Sequence, residues 1–176
     1  ACAGILARVD AGKEDLNRRI AFEKKDLVTY SPVTETRVGG EGMRISELCE
    51  AAMSMSDNSA GNMVLDVLGG PEGFTQFMRS IGDNVTRLDR KETDLNEATP
   101  GDPRDTTTPN AIAKSLHDLV LGDALSLNSR RQLEDWLVGN RVGDPLLRAG
   151  LPKTWRIGDR TGAGGYGSRS IVAVIW

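Results

Sequence analysis

"SDNSAGN", Ser56 to Asn62, stands between two stretches with helical spacing, and its reading decides how the chain is laid out. A serine, an aspartate and an asparagine in a row suit a helix entrance. Their short polar side chains accept hydrogen bonds from the free N–H groups of a first turn. Ahead of them, "ISELCEAAMSM" (Ile45 to Met55) has apolar residues at 45, 48, 49, 52 and 53, a helix period. Behind them a second helix is expected from Ser59 to Leu68, closed by Gly69-Gly70. The question is whether Ser56 only borders a helix or also handles protons on a substrate.

Outward from this point the punctuation is regular. Pro71 suits the first turn of "PEGFTQFMRSI", which Gly82 closes, and Thr108-Pro109 repeats the start signal for "PNAIAKSLHDLVLG". "SLNSRRQLEDWLVGN" is amphipathic, with Leu133, Trp136 and Leu137 inward. The first helix, with Ile5, Leu6 and Val9 on one face, runs to about Asp10 and stops near Gly12. "DLVTYSPVTETRVGGEGM" reads as loop. After Pro152 the period shifts towards two, and "TWRIGDRTGAGG" and "SRSIVAVIW" read as two strands around a Gly-rich turn. A helical body is thus followed by the beginning of a sheet. From Asp83 to Thr108 the chain is polar and aperiodic, and a loop of that length in a compact domain is usually functional.

Composition narrows the choices. The 176 residues are 39% apolar and 27% charged, a globular balance. The formal charge is −3 and no long basic run occurs, so nucleic acid is not an expected partner. The longest apolar stretch, "IVAVIW", is too short to span a bilayer. One histidine, His117, and two cysteines, Cys2 and Cys49, leave no His-rich zinc site and no CxxC pair. His117 lies in a helical segment and reads as a surface or packing residue. The cysteines are compatible with a disulfide or with two buried thiols. No cap precedes the first helix, and "IVAVIW" stops without a turn, so a piece of a longer protein is expected.

Three small motifs remain: Ser56-Asp57-Asn58, then "RKETDLNE" (Arg90 to Glu97), then Arg160-Thr161-Gly162-Ala163-Gly164 at the end of a strand. Singly they are a helix cap, a solvated charged loop and a turn. Taken in order, S-D-N, E-x-x-L-N (Glu92, Leu95, Asn96) and R-T-G, they resemble the class A serine β-lactamases. "DLVTYSPVTE", "IGDNVTRLDR" and "RDTTTP" extend the similarity over essentially the whole chain. The arginine in R-T-G, where most of the family has lysine, is similar to the carbenicillin-hydrolysing subgroup.

The resemblance implies an α/β fold of the α+β kind: an all-helical domain against an antiparallel sheet flanked by helices, the sheet incomplete in this chain. Residues 1–138 would form the helical domain, with an Ω-loop at about 90–105, and 139–176 part of the sheet domain. It implies hydrolysis of a β-lactam through a serine acyl-enzyme, with no cofactor and no metal, by a monomeric periplasmic protein whose partner is the small-molecule substrate. Glu92 would be the general base, sharing a water with Asn96. Independently of the family, residues four apart in a helical turn bring a carboxylate and an amide to one side. Ser56 would relay a proton towards the lactam nitrogen, Asn58 would bind the substrate's side-chain amide, and Asp57 would hold the turn through backbone bonds.

Arg160 and Thr161 would bind the substrate carboxylate, for which a guanidinium offers a planar fork. Gly162 would allow close approach, and the Ala163 N–H would serve an oxyanion. Arg169 would support the carboxylate site and Tyr30 would wall the pocket. Cys2 and Cys49 match the family's disulfide pair, and Arg90 and Asp105 the charge pair closing the Ω-loop. S-x-x-K does not occur in this sequence. The resemblance places the nucleophilic serine and its lysine just before Ala1 and the last strands beyond Trp176, so the chain by itself is expected to be inactive. Two other readings are a penicillin-binding transpeptidase or carboxypeptidase, against which Glu92 with Asn96 argues, and a non-catalytic remnant of the fold.

Overall fold

A computed structural model describes all 176 residues. Six helices carry the chain from Cys2 to Val138: α1 (Cys2–Asp10), α2 (Ile45–Met55), α3 (Asn58–Leu68), α4 (Gly70–Ser80), α5 (Pro109–Val120) and α6 (Leu127–Val138). Two antiparallel pairs complete it: the short ribbon β1 (Arg19–Ile20) with β2 (Met43–Arg44), and the hairpin β3 (Ile157–Ala163) with β4 (Arg169–Ile175). The expected α+β layout is therefore present: apart from the short β1–β2 ribbon between α1 and α2, the helices precede the hairpin. β4 pairs only with β3, leaving the sheet short.

The helices begin and end where their side chains allow. Asp57 caps α3 by accepting the Ala60 N–H at 2.9 Å, and Gly69 ends that helix at φ 105°, a left-handed angle that glycine adopts freely. Thr108 and Ser126 cap α5 and α6 through their hydroxyls. Asp10, at the end of α1, adds a second tie to α6. Its carboxylate accepts the Ser126 N–H at 2.8 Å and the Ser126 and Ser129 hydroxyls at 2.6 Å. α1 has no side-chain cap, as its sequence indicates.

α2 and α3 lie against each other, with α1 and α6 packed on them. Ile5, Leu6, Ile45, Leu48, Val64, Leu68, Leu133, Trp136 and Leu137 form one buried apolar cluster. Each fully buried Leu or Ile contributes roughly 1.5–3 kcal/mol of transfer free energy. β3 rests on α6, where Gly158 meets Leu137 so closely that an added Cβ would lie 3.0 Å from the leucine Cβ. That contact fixes the position of the R-T-G strand relative to the helices.

One expectation is overturned here. Cys2 and Cys49 are both buried but carry free thiols, so no S–S bond joins them. The two thiols still interact, and hydrogen bonding from Cys49 holds the Cys2 thiol below its ordinary pKa. Both lie in the buried apolar cluster, in contact without a covalent bond. His117 is exposed, in line with a surface role.

Candidate active site

The S-D-N turn is built by its aspartate. Asp57 is 1% exposed, and its carboxylate accepts the Val33 and Thr34 N–H groups at 2.9 Å, the Thr34 hydroxyl at 2.9 Å and the Ala60 N–H. A buried carboxylate saturated with donors fixes its surroundings. Ser56, the residue before it, is thereby held at φ 58° at the end of α2, a strained left-handed conformation for a serine. Its side chain points into a cavity of about 190 Å³ lined also by Cys2, Met53, Asn58, Glu92 and Arg160. Three motifs far apart in sequence meet at that cavity.

Arg160 enters from β3. One of its Nη atoms donates to the Met53 carbonyl, in the last turn of α2, and the other lies 3.4 Å from Ser56 Oγ. A cation at a helix C-terminus complements the negative end of the dipole. Burial lowers the Arg160 pKa, and the nearby Cys2 and Asp159 push it back up. Asn58 donates through Nδ2 to the Thr29 carbonyl at 2.9 Å, and its backbone N–H bonds Tyr30 O at 3.0 Å.

Glu92 comes from the long loop. Asn96 Nδ2 donates to Glu92 Oε2 at 2.5 Å, through the short turn Asp94–Asn96, so the expected pairing of carboxylate and amide is present. Burial raises the Glu92 pKa, and the Asn96 hydrogen bond opposes that rise. Asn62 on α3, not among the residues picked from the sequence, holds Glu92 in place. Its Oδ1 accepts the Glu92 N–H at 2.9 Å and its Nδ2 donates to the Glu92 carbonyl at 2.8 Å. The signal that points to it is its spacing: four residues after Asn58, it lies on the same face of α3.

The base of the loop is clamped by charge. Asp105, whose side chain is 4% exposed, accepts the Arg90 Nε–H at 2.6 Å and the Asp89 and Arg90 N–H groups at 2.7 and 2.9 Å. Arg90 also pairs with Glu97. Below it, Asp83 is buried between Thr86 and Ser115. Burial pushes its pKa up, but the Thr86 and Ser115 hydroxyls and two backbone N–H groups outweigh this and bring it to about 2.

The remaining candidates lie apart. Gly162, Ala163 and Arg169 line a neighbouring cavity of about 330 Å³ with Asn96 and Asp105. Arg169 is exposed and donates to the Ser168 carbonyl at 2.7 Å. Thr161 is half-buried on β3, and Tyr30 is 54% exposed at φ 63°, outside both cavities. Asn96 joins the two spaces, since its side chain meets Glu92 and its carbonyl accepts the Gly165 N–H at 2.7 Å.

The arrangement agrees with comparison to known proteins. A profile of the Beta-lactamase enzyme family matches residues 2–176. The chain is 56% identical over 175 residues to the β-lactamase AER-1 of Aeromonas hydrophila, covering 99% of this chain and 58% of that protein. This chain belongs to the class A β-lactamase family. It superposes on the ancestral (GNCA) class A β-lactamase with a TM-score of 0.97 at 63% identity, covering 99% of this chain and 67% of the other. On the class A β-lactamase PenP from Rhodopseudomonas palustris the TM-score is 0.96 at 57% identity, with coverage of 99% and 67%. The chain thus spans a little over half the length of its curated β-lactamase relative.

Proposed function

We propose that this β-lactamase chain is the part of a penicillin-hydrolysing enzyme that positions the substrate and hydrolyses the acyl-enzyme. The observation that carries the reading is the Glu92 carboxylate and the Asn96 amide, in hydrogen-bond contact at 2.5 Å, with Glu92 on the cavity that also holds Ser56, Asn58 and Arg160. Ala1 and Cys2, at the start of α1, border the same cavity.

In this reading the serine oxygen attacks the lactam carbonyl as its O–H proton is lost, the C–N bond breaks, and Ser56 relays that proton to the leaving nitrogen. Ser56 suits this because its Oγ lies beside the Arg160 guanidinium, which stabilises negative charge on the hydroxyl as the proton moves. Arg160 and Thr161 hold the substrate carboxylate, with Arg169 in support. Asn58 accepts the substrate's side-chain N–H, and the Ala163 N–H stabilises the oxyanion. Glu92 then takes a proton from the water that attacks the ester. The serine oxygen leaves and recovers a proton, and the acid is released. Its raised pKa strengthens Glu92 as a base.

Arg160 in the R-T-G motif favours carbenicillin-type penicillins within this family. The family points to a periplasmic or secreted protein, acting as a monomer on a small molecule. No helix is long and apolar enough to cross a membrane. The order of elements, six helices ahead of the β3–β4 hairpin, supports a division into a helical part, 1–138, and a sheet part, 139–176.

The test is Glu92→Ala in the full-length enzyme, treated with a penicillin and followed by intact-protein mass spectrometry. The acyl-enzyme should form and persist. Turnover at the parent rate in that variant would remove Glu92 from its role.

A further inference from the structure

Asp159 precedes Arg160 on β3 and is fully buried, yet the chemistry above makes no use of it. Its ionic partner is Arg148. The guanidinium places Nε at 2.7 Å and Nη2 at 2.5 Å from Asp159 Oδ1. The same Arg148 donates at 3.1 Å to the carbonyls of Leu137 and Val138, in the last turn of α6. At the helix end these carbonyls lie outside the regular ladder, and the Leu137 carbonyl also accepts the Asn140 N–H at 3.3 Å. Arg148 therefore ties residue 159 of the strand to the end of α6. Asp159 Oδ2 and Asn140 Nδ2 are buried without partners, and both crowd Gly143. A Cβ on Gly143 would overlap Oδ2 and lie 2.7 Å from Nδ2. The carboxylate is confined from every side.

Adjacent strand residues face opposite ways. While Asp159 is locked against α6 and the 140–148 turn, Arg160 projects to the other face and meets Met53 O and Ser56. No ion pair joins Asp159 to Arg160; the clasp of Arg148 on Asp159 fixes the strand one residue before Arg160, and the Asp159 charge, after that of Cys2, opposes the lowering of the Arg160 pKa by burial.

We propose that Asp159, clamped by Arg148, is a positioning residue for Arg160, fixing where its guanidinium meets the substrate carboxylate. This rests on the reading of Arg160 as the carboxylate clamp. A clamp on a part of the substrate that does not react is felt equally in the ground and transition states, so its loss raises KM and leaves kcat. A purely structural ion pair would instead lower the folded fraction at constant KM.

The experiment takes the full-length enzyme with Asp159→Asn, with the paired neutral variant Arg148→Gln/Asp159→Asn, and with Asp10→Asn as a control. Asp10 ties α1 to α6 away from the site. The paired variant leaves no buried charge alone, which protects the fold. KM for a penicillin should rise roughly tenfold in both Asp159 variants, the loss of about one charge-assisted hydrogen bond, with kcat within about threefold of the parent. Asp10→Asn should lower Tm without moving KM. An unchanged KM in either folded Asp159 variant overturns the proposal.

A second readout is independent of activity. Side-chain NMR of Arg160 should show a rigid guanidinium in the parent and a mobile one in Asp159→Asn, and equal rigidity in both overturns the positioning role. A parent enzyme that fails to hydrolyse penicillin while Arg160 loosens in Asp159→Asn sinks the functional reading and leaves the positioning intact.

Discussion

The helical centre around Leu48 and Val64 is closed by apolar side chains, whereas the loop from Arg90 to Asp105 is closed by charge and hydrogen bonds. No residue from 88 to 108 is buried in the apolar cluster. The loop is held instead from three sides: by Asp105 at its base, by Asn62 at Glu92 and by the hairpin at Asn96. Apolar burial is non-directional and tolerates small shifts of position. Hydrogen bonds fix an atom to a few tenths of an ångström, which is what a general base requires. The centre supplies stability, and the loop supplies placement.

That contrast is open to attack, beginning with the largest effect. Removing the carboxylate in Glu92→Gln should slow deacylation by roughly 10²–10⁴-fold while leaving the melting temperature near that of the parent. Leu48→Ala should do the reverse. Leu48 is fully buried, so its truncation should cost about 2–5 kcal/mol by denaturant titration, with kcat and KM of the folded fraction unchanged.

Between these extremes lies Asn62→Ala. It removes both bonds to the Glu92 peptide. Stability should fall by about 1–2 kcal/mol, and kcat by on the order of tenfold to a hundredfold, because Glu92, the proposed base, loses its placement. If kcat holds while Tm falls, the loop is supported by something other than this asparagine.

Two smaller effects depend on pH. Asp83, whose pKa is about 2 in the folded chain against 3.8 for the free side chain, stabilises the fold above the free value. That contribution, about 2 kcal/mol, should disappear as pH falls from about 4 through 2. Acid unfolding followed by circular dichroism should therefore be shallower in Asp83→Asn. Glu92 shifts the opposite way. Its raised pKa moves the acid limb of kcat above the pH of an ordinary glutamate, and loss of the Asn96 hydrogen bond in Asn96→Ala should move that limb higher still.

Much of this was legible in the residues. Caps and glycines marked the helices closely: Ile45 to Met55 falls on α2, and the helix expected from Ser59 begins one residue earlier, at Asn58. The change of period after Pro152 marked the hairpin. Glu92 and Asn96 were legible because their partnership is local. Asn62 shows only its helical spacing from Asn58, and its partnership with Glu92 stays hidden, since that partner lies thirty residues away on a loop without period. The clasp of Arg148 on Asp159 was hidden for the same reason, as a long-range polar contact leaves no repeat in the sequence. The state of Cys2 and Cys49 depends on the separation of two helices, which the spacing of the residues does not encode.

The link between hairpin and loop has a practical use. The Gly165 N–H reaches across to the Asn96 carbonyl, and an added Cβ at Gly165 would overlap the Glu97 carbonyl oxygen. One amide proton therefore reports whether the two halves of the pocket are latched. Its hydrogen exchange would time the opening of the loop directly. A compound that wedges the latch apart would register as faster exchange at this one glycine, so molecules that unseat Glu92 could be screened from a single resonance.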